Sequence, residues 1–162
     1  MKIDYLPYLR KKIGHDLAMA VGVSVLLVDP KARKVLLEKR ADNGLFCLPG
    51  GSLDLGEKIL DGARRELFEE TGIEDCGKLS LFLVHSGTDT RIHYPNGDVT
   101  EYVDHVFLGY YDSSLYRERH DSESLFVGFF DFDSLPPQES FLPGNFLALS
   151  RYLAGKRDLA ID

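Results

Sequence analysis

The stretch that decides the fold is Gly51-Ser-Leu-Asp-Leu-Gly-Glu57-Lys-Ile-Leu-Asp-Gly62-Ala-Arg-Arg65-Glu66-Leu67-Phe-Glu69-Glu70-Thr-Gly72-Ile73, led in by Pro49-Gly50. Its middle has a helical period, with Ile59, Leu60, Ala63 and Leu67 recurring at the spacing of one helix face. With Ile59 as origin, Gly62, Glu66, Glu69 and Glu70 fall at roughly 300°, 340°, 280° and 20° around the axis. Three carboxylates therefore crowd one strip, with a glycine one turn before them. Like charges at these spacings repel by about 0.2–0.5 kcal/mol per pair. Glu69 and Glu70 also stand near the helix C-terminus, where the macrodipole disfavours anions. A hard divalent cation would remove both penalties, because oxygen-rich carboxylate sites suit magnesium, manganese or calcium. Arg65 and Glu69 are spaced i,i+4 and can pair, which orients one carboxylate. Most Glu-rich helix faces are solvated surface; here the strip reads instead as a metal-loaded acidic helix.

The fixed identities spell G-x5-E-x7-R-E-(aliphatic)-x-E-E-x-G-(aliphatic) from Gly51 to Ile73. This pattern resembles the Nudix box at every fixed position, and the chain is thereby similar to the Nudix hydrolases. The box covers 23 of 162 residues and says little about substrate. The resemblance implies an α/β/α sandwich with a mixed β-sheet and a loop–helix–loop that holds the box. It implies divalent-metal-dependent hydrolysis of a phosphoanhydride bond in a nucleoside diphosphate linked to another moiety, with Mg2+ as cofactor and Mn2+ as substitute. Carried onto this chain, it makes Glu66, Glu69 and Glu70 the metal ligands, Glu66 and Glu70 foremost. The carbonyl of Gly50 or Gly51 would be a further oxygen ligand. Glu57 would support the metal site or orient water, and Arg65 would hold a carboxylate in place. The general base varies within the family: Glu69 is one candidate, and Glu123, ahead of Asp121, is another in the segment His120-Asp121-Ser122-Glu123.

Substrate contacts are less determined. Arg40, Arg91, His93 and Tyr94 suit phosphate contact or base stacking, whereas Tyr102 and Phe46 suit pocket and core equally. The expected partner is a small nucleotide-type molecule, and a homodimer stays open. The intact box favours hydrolysis over a nucleotide sensor that binds without cleaving. Removal of pyrophosphate from RNA 5′ ends is a second alternative, disfavoured by charge. The net charge of −7 argues against broad nucleic-acid binding, which needs a basic face.

The remaining sequence bounds the rest. Hydrophobic content of 44% and charged content of 28% are ordinary for a soluble globular chain, which suits one domain over 1–162, with 1–18 an extension packed on it. Two cysteines, Cys47 and Cys76, offer neither a disulfide framework nor zinc spacing, and Cys47 reads as a small buried residue. The uncharged run from Leu17 to Val28 is too short to span a bilayer and reads as a strand, which makes the protein cytoplasmic without a membrane partner. Residues 4–13 predict a short helix with Pro7 in its first turn, and Arg10-Lys11-Lys12 predicts a solvated face or a phosphate contact. Val21–Val28 and Val35–Arg40 predict a hairpin across Asp29-Pro30-Lys31, and Leu45–Leu48 a short strand into the glycine loop. Thr71-Gly72 predicts a left-handed helix stop. Lys78–His85, Val99–Tyr111 and Leu125–Asp131 predict strands, with a hairpin at Asn96-Gly97. Asn145–Leu153 predicts a closing amphipathic helix on Phe146, Leu147, Leu149 and Leu153, and Ala154–Asp162 a frayed tail.

Overall fold

A computed structural model describes residues 4–118 and 122–162. In chain order the elements are α1 (Tyr5–Ile13), β1 (Ala18–Asp29), β2 (Lys34–Arg40), β3 (Phe46–Cys47), β4 (Gly50–Ser52), α2 (Ile59–Thr71), β5 (Ser80–His85), β6 (Ile92–His93), β7 (Val99–Tyr110), β8 (Ser124–Asp131), α3 (Asn145–Leu153) and β9 (Ala160–Ile161). The strands form one mixed sheet in the order β3-β2-β1-β7-β5-β9, with β4 on β1, β6 on β7 and β8 on β2.

β1 is the axis of this sheet. Val23 and Val25–Val28 are fully buried, as befits a strand covered on both faces. Successive side chains point to opposite faces, and here they feed two separate cores. Leu26 and Val28 join Val35, Leu37, Val106 and Leu108 beneath Ala148, Leu149 and Tyr152 of α3. Val23, Val25 and Leu27 join Leu36 and Phe107 beneath Ala63 and Leu67 of α2. This is the expected α/β/α sandwich. Burial of a residue such as Leu67 or Leu149 contributes about 2 kcal/mol.

The site depends on how the first hairpin opens. β1 and β2 pair antiparallel only through Val28↔Val35 and Asp29↔Lys34. Beyond that they part, and the chain from Phe46 to Ser52 enters the gap. Phe46 and Cys47 pair with Lys39 and Glu38 of β2, and Gly50, Gly51 and Ser52 pair with Ser24, Val23 and Gly22 of β1. Gly50 is obligatory at this crossing, because a Cβ there would lie 2.3 Å from the Val23 carbonyl oxygen.

The helix stop, the Asn96-Gly97 hairpin and the α3 boundaries fall where the sequence predicts: Gly72 is left-handed at φ 77°, Gly97 has φ 92°, and α3 is Asn145–Leu153. Three expectations need correction. Leu60 and Leu153, assigned to buried stripes, are 38% and 42% exposed; the stripes that face the sheet are Ala63-Leu67-Thr71 and Ala148-Leu149-Tyr152. Arg10 belongs to no solvated cluster, since its guanidinium donates to the Val99 carbonyl at 2.7 Å and Thr100 Oγ1 at 2.8 Å, pinning α1 to the start of β7. The tail expected to fray contains β9, whose Ala160 and Ile161 pair parallel with Leu83 and Val84. Among the described residues, no helix is long and apolar enough to cross a membrane.

Candidate active site

Arg65 is the hub of the acidic helix. Its Nε and Nη2 donate to the two oxygens of Glu57 at 2.8 and 2.9 Å. Its Nη1 donates to Glu66 Oε1 at 2.7 Å and Glu69 Oε2 at 3.1 Å, and Nη2 also reaches the Ser52 carbonyl at 3.1 Å. One planar fork thus ties the loop before α2 to two turns of the helix, a geometry lysine cannot reproduce. The surrounding carboxylates, Glu57 first, raise the Arg65 pKa far above its ordinary value, so it is always charged. Glu57 also accepts the Asp54 N–H at 3.1 Å, so it organises the loop as well as the arginine.

Glu66 and Glu70 turn toward the glycine step. Glu66 packs its carboxyl against Gly51, where a Cβ would lie 2.6 Å from Oε1. Glu70 Oε2 accepts the Gly50 N–H at 2.8 Å. The ladder shows which carbonyl is free to face them. Leu53 N–H donates to the Val21 carbonyl and Val25 N–H to the Pro49 carbonyl, two residues either side of the Val23↔Gly51 pair. Alternation along an antiparallel ladder then turns the Gly51 backbone toward β1 and the Gly50 backbone away from it, so of the two carbonyls that of Gly50 is left free of the ladder. Burial pushes the Glu66 carboxyl up despite Arg65 beside it, and pushes Glu70 up well above the usual range, with the Glu38 charge adding to the effect.

Those donors are hard oxygens, two of them carboxylates against a backbone that carries no side chain, and this chemistry fits a divalent cation such as Mg2+ or Mn2+. Among the described residues, no three acidic, histidine or cysteine side chains converge as a closed ligand set; Glu66 and Glu69 both accept from Arg65. Glu69 is half exposed, its contact being the 3.1 Å pair with Arg65. Glu123 is exposed, and it borders a cavity shared with Glu38, Arg40 and Glu70. His120 and Asp121 lie outside the described residues.

A cleft opens on the other side of Gly50 and Gly51, lined by Arg40, His85, Tyr94, Tyr102 and Asp104 among others. Two of the residues expected to contact substrate, Arg40 and Tyr94, are among those that line it. Arg40 sits at its edge, held by Asp42 through two bonds of 2.9 and 2.7 Å. The Tyr94 hydroxyl meets that of Tyr102 at 2.7 Å, and burial raises the Tyr94 pKa far above the phenol range. Arg91 does not line the cleft; Glu101 holds its guanidinium at 2.7 and 3.2 Å. His93 is exposed, and Phe46 packs on the α3 core.

The sequence reading missed Glu38, Ser24, His85 and Asp104. Glu38 is 3% exposed, accepting from Ser124 Oγ at 2.6 Å beside Glu70. Ser24 Oγ lies 3.1 and 3.0 Å from the two Asp104 oxygens. The available signal was a polar residue at an inward position of an otherwise apolar strand, as with Glu38 after Val35-Leu36-Leu37.

An acidic helix clasped by one arginine, a glycine step and an adjoining cleft on a mixed sheet define a hydrolase of phosphate compounds of one particular family. The NUDIX domain model matches residues 18–149, and the chain belongs to the NUDIX family. It is 35% identical over 129 residues to an ADP-ribose pyrophosphatase of Methanocaldococcus jannaschii, covering 78% of this chain and 70% of that protein. It is 42% identical over 69 residues to the m7GpppN-mRNA hydrolase NUDT17 of Danio rerio, covering 36% of this chain and only 23% of that longer relative. The crystal structure of a MutT NUDIX hydrolase from Burkholderia pseudomallei superposes with a TM-score of 0.64 at 27% identity, over 82% of this chain and 96% of that one. The chain is an enzyme of the class that acts on acid anhydrides.

Proposed function

We propose that the protein hydrolyses a phosphoanhydride bond in a nucleoside diphosphate linked to a second moiety, assisted by Mg2+ or Mn2+. The observation that carries this reading is the approach of Glu66 and Glu70 to the Gly50-Gly51 step at the wall of the cleft. Glu66, Glu70 and the Gly50 carbonyl would hold the cation. When bound, it supplies neutralisation of the diphosphate and activation of water. Arg65 keeps Glu66 oriented and, through Glu57, keeps the loop in place. Glu69 and Glu123 are the groups near this site that would take a proton from the attacking water, Glu123 from the Glu70 side. Arg40 and Tyr94 would contact the substrate in the cleft. The pyrophosphatase named among the relatives supports placing ADP-ribose and nucleotide-sugars among the first substrates to try. Two free, buried cysteines suit a reducing, cytoplasmic setting.

The test is a phosphate-release screen with Mg2+ over nucleoside triphosphates, ADP-ribose, nucleotide-sugars, dinucleoside polyphosphates and 5′-triphosphorylated RNA, with phosphatase added to reveal monophosphate products. Glu70→Gln is the control. One substrate far ahead of the rest and lost in the variant is the expected result. Silence across the panel with nucleotide binding retained would replace the hydrolase reading by a sensor.

A further inference from the structure

His85 ends β5 directly opposite Asp104 of β7, and Gly22 of β1 is the next residue in the same row across the sheet. All three line the cleft. The row therefore presents an imidazole, a carboxyl and then open space. A Cβ on Gly22 would lie 2.9 Å from Asp104 Oδ1 and 3.2 Å from Tyr102 Cδ1, so that space exists only because residue 22 is glycine. On the far side, Gly144 passes over the ring: a Cβ there would fall 2.8 Å from His85 Cδ2 and 3.0 Å from Nε2.

His85 is 4% exposed, and among the described residues neither ring nitrogen has a directed hydrogen-bond partner. Buried polar groups are nearly always paired, so an unpaired one bordering a cleft points to a ligand that completes it. Asp162 Oδ2 stands 2.9 Å from Nδ1, at ion-pair distance but off the N–H direction. Its charge favours the tautomer with the proton on Nδ1 and leaves a lone pair on Nε2. Asp104 accepts the Ser24 hydroxyl proton and a backbone N–H of His105, and still has further lone pairs to offer. The cleft wall thus sets two acceptors side by side.

We propose that His85 and Asp104 are the specificity pair of this enzyme and select a substrate moiety that offers two adjacent hydrogen-bond donors, with Asp162 a positioning residue for His85. The proposal rests on the hydrolase reading for its assignment of the cleft to the substrate. Asp162 follows β9, its N–H donating to the Val84 carbonyl, and lies beyond residues 18–149, so it adds to the site a part the family match does not cover. Adjacent donors can come from a guanine edge, through N1–H and the 2-amino group, or from the 2′,3′-hydroxyls of a ribose.

Calorimetric titration of the full chain with GMP, IMP, AMP and dGMP separates these sources, and the matching triphosphates give kcat and KM. If the base is read, GMP should bind about tenfold more tightly than IMP, the worth of one hydrogen bond; if the ribose is read, it should outbind dGMP by a similar factor. His85→Leu and Asp104→Ala, which each remove an acceptor, should reduce the preferred ratio to near unity. His85→Gln, which keeps an acceptor, should restore part of it, and serves as the folded substitute if the leucine variant fails to fold. Asp162→Asn should raise KM for the preferred ligand and leave kcat unchanged. No preference in either comparison, or an equal loss for every ligand in the variants, would overturn the proposal. Preserved discrimination without any hydrolysis would leave the pair standing and remove the hydrolase reading; hydrolysis with discrimination untouched by the variants would do the reverse.

Discussion

Glu70 reaches from the last turn of α2 to the backbone of Gly50, its Oε2 accepting the N–H at 2.8 Å. The same carboxyl lies within the field of buried Glu38, and with Glu66 one turn away the site concentrates negative charge where little water enters. Glu70→Gln keeps an acceptor for Gly50 and removes that repulsion. Metal-free stability should hold or rise by about 1 kcal/mol, a shift of roughly 2–4 °C in melting temperature. Activity should fall more than the 10–100-fold typical of losing an outer-shell partner. Melting curves and phosphate release on one preparation check both halves; a strongly destabilised but active variant contradicts the metal-site reading.

Arg65 makes five hydrogen bonds to Glu57, Glu66, Glu69 and the Ser52 carbonyl. Arg65→Ala leaves Glu57, 15% exposed, without its bidentate partner. Breaking a buried pair costs about 3–5 kcal/mol, and partial solvent access here lowers the expectation to about 2–3 kcal/mol. Turnover should fall more than substrate affinity, and Arg65→Lys should rescue little because it cannot span two oxygens of Glu57 and reach Glu66 together. Denaturant unfolding with steady-state kinetics tests this; unchanged turnover would reduce Arg65 to a structural clasp.

The parts of the molecule set by local spacing were legible in sequence: the acidic strip, the glycine stop and the tight hairpin each depend on residues within a few positions. What depends on register across distant strands was not. Asp104 faces the cleft because β7 runs parallel to β1 with Asp104 beside Gly22, and no local pattern specifies that offset. Arg91 looked like a phosphate contact until Glu101, across the β6–β7 hairpin, claimed it. Arg10 read as surface charge, yet its guanidinium closes backbone groups at the start of β7. Leu60 and Leu153 fit the helical period, yet the residues each helix buries are Ala63, Leu67 and Thr71 in α2 and Ala148, Leu149 and Tyr152 in α3.

Asp29 closes β1 by accepting the N–H groups of Lys31, Ala32 and Ser113 at 3.0, 2.9 and 2.8 Å, and the Ser113 hydroxyl at 2.7 Å. Burial alone would raise its pKa, but these bonds, the Ala32 and Ser113 N–H groups first, bring it down to about 2. A folded pKa below the unfolded value of about 3.9 means stability that is present above pH 4 and lost as pH falls through about 2. Asp29→Ala should cost about 2 kcal/mol at neutral pH, and the gap from wild type should narrow across that window. Urea unfolding at pH 7, 4 and 2.5 measures it; a gap constant with pH would place the effect in packing.

Gly51 and Gly62 clear space for opposite ends of the arginine cluster, and their substitution separates the site from the loop that supports it. A Cβ on Gly51 would lie 2.6–2.8 Å from the Glu66 carboxyl atoms, which belong to a movable side chain. A Cβ on Gly62 would meet Leu53 Cδ1 at 2.6 Å and Glu57 Oε2 at 2.9 Å, where Arg65 holds the carboxylate from two sides. Gly51→Ala should therefore leave stability within about 1 kcal/mol and displace Glu66, cutting turnover at fixed Mg2+ with part of it recovered at higher Mg2+. Gly62→Ala gains helix propensity of about 1 kcal/mol and loses more than that by overpacking, for a net fall in melting temperature. Magnesium titration of both variants distinguishes them: a Gly51→Ala enzyme with wild-type magnesium dependence would mean that Glu66 is not a ligand.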